Sequence, residues 1–310
     1  MGPLKTLLFA TLGSAVTLLL QLSSGWLGPA GVVLNLLVPL PAALLTMLAG
    51  SIPGAGVVAA TALVLWLVGS PGFALGYLLQ FGLGSLLLPW FLRRGWGWDR
   101  AVLVTVVAVV AAAGIFLAGY AGFQGQPIGG LVGEYVQGEI TRSIALYQEA
   151  DLPEEQVAEL RQFADQMAGL LLKAYPGLAV VATGVLQLLT VLLLFRLNQG
   201  RYVMTGPAFH AWKAPDMLIW GLIAGGFGVF FGAEPLQMVA LNLLTVLLPV
   251  YFLHGLAILT FFFRKKGIAP GFRAVGYVMV TLLSPLPLIV TGMGVFDLWA
   301  DFRKPRIKKT

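Results

Sequence analysis

The chain has 310 residues, of which 58% are hydrophobic and 10% charged. A soluble domain carries about 25% charged residues, so this surface belongs in a lipid bilayer and not in water. The net charge of +6 is not a nucleic-acid signature, because the cations cluster at the ends of apolar runs, and no partner nucleic acid is expected. The absence of cysteine excludes disulfides, thiolate metal sites and Cys nucleophiles.

Composition and periodicity predict an all-α polytopic membrane bundle of about eight to ten membrane segments, some broken by proline. The first apolar run, residues 6–22, is read as a retained span and not a cleaved leader, since no small-residue cleavage site precedes Gln21. It carries Ala10-x-x-x-Ser14, a pair that lets another helix approach closely. The second run, residues 31–50, contains Pro39 and Pro41 and should kink or break there, with Asn35 just before the break. Runs at 54–68 and 73–92 follow two Pro-Gly turns, and the latter holds Gln80. Arg93, Arg94, Arg100, Trp96 and Trp98 then mark a cytoplasmic boundary, and residues 101–121 return to the far side.

The one long polar insert spans residues 122–175. It holds Glu134, Glu139, Glu149, Asp151, Glu154, Glu155, Glu159 and Asp165 against Arg142, Arg161 and Lys173. Val132, Val136, Ile140, Ile144 and Tyr147 form one helical stripe, and Val157, Leu160, Ala164, Met167 and Leu171 a second. Asp151 is placed to cap the second helix, with Pro153 in its first turn. The reading is an acidic, amphipathic helical hairpin outside the cytoplasm, with Pro176 separating it from the next span.

Residues 177–197 carry Gln187, and Arg196, Arg201 and Lys213 place the following loop inside. Residues 217–231 are glycine-rich, and 236–263 carry Asn242, Tyr251 and His254 before Arg264-Lys265-Lys266. The last run, 272–300, has cations demanding the inside at both ends, Arg273 and the tail from Arg303. Ser284-Pro-Leu-Pro287 in its middle predicts two half-length helices that dip into the membrane and return, the alternative being one kinked span with an outer tail. The chain thus divides into membrane helices at 1–121, the hairpin at 122–175, membrane helices at 176–302 and a cationic tail at 303–310, with both termini cytoplasmic.

No phosphate-binding loop, HExxH, Gly-x-Ser-x-Gly or dinucleotide fingerprint occurs, so neither enzymatic activity nor a cofactor is expected. Polar groups inside apolar runs are functional candidates by default: Asn35, Gln80, Gln187, Asn242 and His254, with Tyr251 to pack on a bound solute. Bonding between helices is the commoner fate of such groups. Asp297 and Asp301 lie four apart on one helix face and need a nearby cation, from Arg303 or the Arg264 cluster. They read as a docking or gating latch, or as an ion pair holding the tail.

Three stretches resemble the YybS family of bacterial membrane proteins: Ala145-Leu-Tyr-Gln-Glu-Ala-Asp-Leu-Pro-Glu-Glu-Gln156, Phe209-His-Ala-Trp212-Lys-Ala-Pro215 with Trp220, and Gly294-Val-Phe-Asp297-Leu-Trp-Ala-Asp301-Phe-Arg303. That family is itself similar to the substrate-binding (S) components of energy-coupling-factor transporters and to the rod-shape protein MreD. The resemblance implies an S-component-like helical core in the bacterial inner membrane. It implies a subunit that binds a small solute and partners with scaffold and ATPase subunits, with Ala10-x-x-x-Ser14 as the nearest counterpart of a partner-contacting helix. The alternative is an MreD-like structural protein of the envelope that recruits partners through the hairpin or the tail.

Overall fold

The computed structural model describes residues 2–27, 29–149, 153–198 and 200–304. Regular structure there is helical throughout: α1 (Pro3–Leu27), α2 (Pro29–Asn35), α3 (Leu40–Ala49), α4 (Ser51–Val68), α5 (Pro71–Tyr77), α6 (Leu83–Arg93), α7 (Trp98–Gln124), α8 (Ile128–Glu149), α9 (Glu154–Leu197), α10 (Leu218–Phe231), α11 (Glu234–Lys265), α12 (Pro270–Leu282) and α13 (Leu286–Ala300). Among the described residues six helical segments are long and apolar enough to cross a membrane, or seven if the bent pair α12–α13 counts as one span. Two shorter apolar helices, Val33–Ala49 and Leu218–Phe231, accompany them. The protein is a polytopic helical membrane protein.

The chain forms two compact units, Met1–Tyr120 with Ala182–Pro207, and Ala121–Val181 with Ala208–Thr310. In the first unit, α2 ends at Asn35 and α3 begins at Leu40, so the proline-marked interruption falls where the sequence puts it. Val38, Ala42, Leu45, Val57, Val58, Tyr77 and Phe81 form the core. Arg93 Nη1 donates to the carbonyls of Thr46 (2.9 Å) and Met47 (3.0 Å), neutralising the negative end of α3. Between α5 and α6 one π-helical turn, Leu78–Gly82, buries Phe81 and turns Gln80 outward. The loop after α6 is pinned to residues 205–207: Trp98 N–H donates to Thr205 O (3.0 Å) and Trp98 Nε1 to Pro207 O (2.8 Å). Gly206 adopts φ +118°, and any side chain there would collide with the Trp98 backbone.

In the second unit, the inward stripe of α8 is the expected one, with Ile144 buried and Val132, Val136 and Ile140 half-buried. In the polar half of α9, Val157 and Ala168 are buried and Ala164 and Met167 half-buried, whereas Leu160 and Leu171 of the expected stripe are exposed; Asp151 and the Tyr147 side chain lie outside the described residues. The expectation that Pro176 ends this helix is wrong: α9 runs unbroken through Pro176 to Leu197. The reason is a long-range repair by Asn242 of α11. Its Oδ1 accepts from Gly177 N–H (2.7 Å), and its Nδ2 donates to Lys173 O (2.8 Å) and to Met238 O (2.8 Å). Gly177 N–H and Lys173 C=O are the pair that an ideal helix joins i to i−4, so one carboxamide serves both groups next to the proline.

The close approach of α10 to α11 depends on Gly225 and Gly228, where a Cβ would stand 2.8 Å from Leu244 Cδ2 and 2.7 Å from Ala240 Cβ. Gly255 and Gly294 likewise bring α11 and α13 into backbone contact, Gly255 against Val290 O and Gly294 against Tyr251 O. The last apolar run is two helices, α12 and α13, bent by 98° at residues 283–285, as the Ser-Pro-Leu-Pro stretch predicts.

Candidate functional site

The densest cluster of charge in the described chain forms where α13 ends. Asp301 takes a left-handed conformation (φ 37°), and its N–H bonds Asp297 O (3.0 Å). This reverses the chain and swings Arg303 back over the helix it has just left. Asp297 Oδ1 accepts from Phe302 N–H (2.8 Å), fixing the reversal. Arg303 Nη2 donates to Asp297 Oδ2 (2.9 Å), and Arg303 Nη1 donates to the carbonyls of Trp212 (2.9 Å) and His210 (3.3 Å). The tail is therefore clamped to α13 and to the short helical turn Phe209–Ala211.

His254 of α11 completes the cluster. Its Nε2 lies 3.1 Å from Asp297 Oδ2 and 3.0 Å from Arg303 Nη2, so it donates to the carboxylate or accepts from the guanidinium according to tautomer. The Trp212 ring stands edge-on to the imidazole at 6.2 Å. Asp297 is wholly buried, and the side chains of His254 and Arg303 are 6% and 9% exposed. A carboxylate removed from water this completely needs hydrogen-bonded cations and donors in place of its hydration shell. At the rim, Lys213 Nζ reaches Asp301 Oδ1 (3.6 Å) and Asp297 Oδ2 (4.0 Å), and Lys304 Nζ pairs with Asp301 Oδ2 (2.8 Å).

The hydrogen bond from Lys304, with the Lys213 charge, holds the Asp301 carboxyl below its ordinary pKa, and the same pair raises Lys304. Burial, then the charges of Arg264 and Arg303, push the His210 imidazole down, so it favours the neutral form. Three buried nitrogens, Arg303 Nε, His210 Nδ1 and His254 Nδ1, have no partner among the described residues. The arrangement can fix a chain end against three elements, and no group of residues that could hold a metal ion occurs among the described residues.

The sequence-derived candidates scatter. Asp297, Asp301, Arg303 and His254 come together, with Arg303 and Lys213 supplying the positive charge. Lys213 and the carbonyls of His210 and Trp212 were not singled out as site residues, although all three lie in the Phe209–Pro215 stretch already noted as distinctive. Asn242 is engaged at the Pro176 repair. Tyr251 is buried, with its carbonyl at the α11–α13 crossing. Gln80 is exposed on the outer face of its span. Asn35 is half-buried, with an unpartnered Oδ1. Gln187 is wholly buried against Gly84, and neither amide atom has a partner among the described residues. Ala10 packs against the first unit's core, and Ser14 Oγ donates to Ala10 O (3.0 Å), so this small-residue pair is used within the chain.

An apolar groove of about 210 Å³ runs between α1 and α3, lined by Phe9, Leu12, Val16, Leu40, Leu44 and Leu48. None of the polar candidates lines it.

No curated protein and no solved structure matches the chain. The family model described as "Predicted membrane protein (DUF2232)" matches residues 15–298, from within α1 to within α13 and including His254 and Asp297, and the chain belongs to that family.

Proposed function

We propose that this chain is a structural protein of the bacterial inner membrane that recruits partners through the clamped end of its second unit. The observation that carries the reading is the fate of its polar side chains. Asn242 joins two helices, and His254, Asp297 and Arg303 bond one another. These are groups that hold a fold and present a tail. The resemblance of its motifs to the YybS family, itself similar to MreD, agrees with this reading, and by the charge rule the clamp and both termini lie in the cytoplasm. The tail beyond Arg303 is cationic, so it suits an acidic partner surface. The test is site-specific photocrosslinking from Lys304 in cells. A discrete envelope partner should be captured by the wild type and lost in Arg303→Ala. Equal capture by both would overturn the role of the clamp.

A second reading, an S-component-like solute-binding subunit, is favoured by one residue. Gln187 keeps both amide atoms unbonded at zero exposure, and a bound polar solute would satisfy them. Its test is copurification with scaffold and ATPase subunits, together with a solute-dependent thermal shift that Gln187→Met abolishes. A shift that persists in the variant removes Gln187 from the reading.

A further inference from the structure

The second unit contains a helix whose surroundings fit neither a span nor a packed core. α12 has 13 residues, and at 1.5 Å per residue it is about 20 Å long, short of a hydrocarbon layer of about 30 Å. Its direction is also wrong for a span. α13 lies along α11, with Val290 on Gly255, Gly294 on Tyr251 and Asp297 on His254, whereas α12 turns 98° away from α13. It touches α11 near one end, where Gly276 sits under Phe263 and Tyr277 Oη meets Thr260 Oγ1 at 2.9 Å. α12 therefore bends sharply away from the helix packed on α11 and meets α11 only near that one end.

No residue of α12 is buried. Phe272, Val275, Val278, Met279 and Leu282 are all exposed and share one face, while Tyr277 occupies the opposite one and Gly276 the edge between them. The charge beside this face has a single sign. Between Tyr251 and Phe296 the chain carries Arg264, Lys265, Lys266 and Arg273 and no acidic residue. Arg264, Lys265 and Lys266 are exposed. Arg273 Nε donates to Ile268 O (2.6 Å), tightening the turn that sets α12 next to that triplet.

We propose that α12 lies in the plane of the membrane surface, its apolar face sunk among acyl chains, and that Arg264, Lys265 and Lys266 hold the headgroups of anionic phospholipids beside it. A short helix with a broad apolar face, bent 98° from α13 and next to unopposed cations, matches the interface of an anionic leaflet. A protein groove would satisfy the apolar face and leave the triplet unmatched.

The absence of cysteine makes the test direct. Single spin labels are placed at Phe272→Cys, Val275→Cys, Met279→Cys and Leu282→Cys in the full chain, in nanodiscs of phosphatidylglycerol and phosphatidylcholine. Depth is read from oxygen against nickel-chelate accessibility. The proposal requires one shallow depth for all four sites. Depth increasing steadily from 272 to 282 would show a helix dipping into the bilayer, and labels shielded from both reagents would show a protein contact; either overturns it. A second measurement uses the cysteine-free chain with exposed Lys265→Gln and Lys266→Gln. Native mass spectrometry should find retained phosphatidylglycerol reduced about fivefold for each cation removed. Unchanged retention would overturn the headgroup assignment.

Discussion

Asp297 and Gln187 are equally hidden, yet one is surrounded by partners and the other has none among the described residues. Asp297 is touched by Arg303, His254, Lys213 and the Phe302 amide. Gln187 lies against Gly84 with its carboxamide unbonded. The difference follows from charge. An ionised carboxylate stripped of water costs several kcal/mol unless cations and donors replace the hydration shell, so its surroundings must be built around it. A neutral amide costs about 1–3 kcal/mol when unsatisfied, which a well-packed unit can absorb. Depth alone therefore does not mark a ligand site in this protein; the saturation of each buried group has to be examined.

The comparison breaks first at Asp297. Asp297→Ala leaves the Arg303 guanidinium buried without its counterion and should cost about 3–5 kcal/mol, read as a fall in melting temperature of the purified protein in detergent. The double variant Asp297→Leu/Arg303→Met removes both charges and should be milder than the single change. If the double variant were the worse of the two, the pair would not be coupled as described.

Asn242→Ala comes next, with an expected loss of about 1–3 kcal/mol, since it orphans Gly177 N–H and Lys173 C=O beside Pro176. Hydrogen exchange at the Gly177 amide should accelerate selectively, and an unchanged rate would remove Asn242 from the repair. Gln187→Met, which keeps the shape and removes the orphan amide, should be neutral or stabilising in solute-free protein. A loss above about 1 kcal/mol would mean that the amide has a bonded partner, and the contrast with Asp297 would disappear.

The smallest effect concerns the rim. The Asp301 carboxyl titrates below its ordinary value, so its ion pair with Lys304 is complete above the unfolded pKa of 3.8 and is lost as pH falls through the lower folded value. A spin label at Phe302→Cys should therefore gain mobility only in that acid range. His210 moves in the same sense: its folded pKa is depressed, so its contribution to stability is complete above the unfolded value of 6.5 and declines as pH falls below it.

Much of the architecture was legible before any coordinates. Apolar runs, interfacial tryptophans, the break around Pro39 and Pro41 and the 98° bend at Ser284–Pro287 all follow from properties that act within a few residues of the chain. Pro176 was misread for the same reason. A local rule says that proline ends a helix, and the group that lets this one continue comes from Asn242, 65 positions beyond Gly177. The clamp was half visible. Asp297, Asp301 and Arg303 declare themselves by helical spacing and sign, whereas His254 lies 43 positions from Asp297 and Lys213 further still.

Hydropathy, cation placement and proline, which the chain carries residue by residue, determined that this is a many-helix membrane protein and where it breaks around Pro39–Pro41 and Pro285–Pro287, but not its course at Pro176. The tertiary structure alone decided which polar side chains are engaged and which are left over. A hydrogen bond or a buried ion pair depends on distances between groups remote in sequence, and these exist only once Gly255, Gly294, Gly225 and Gly228 have let the helices close on one another.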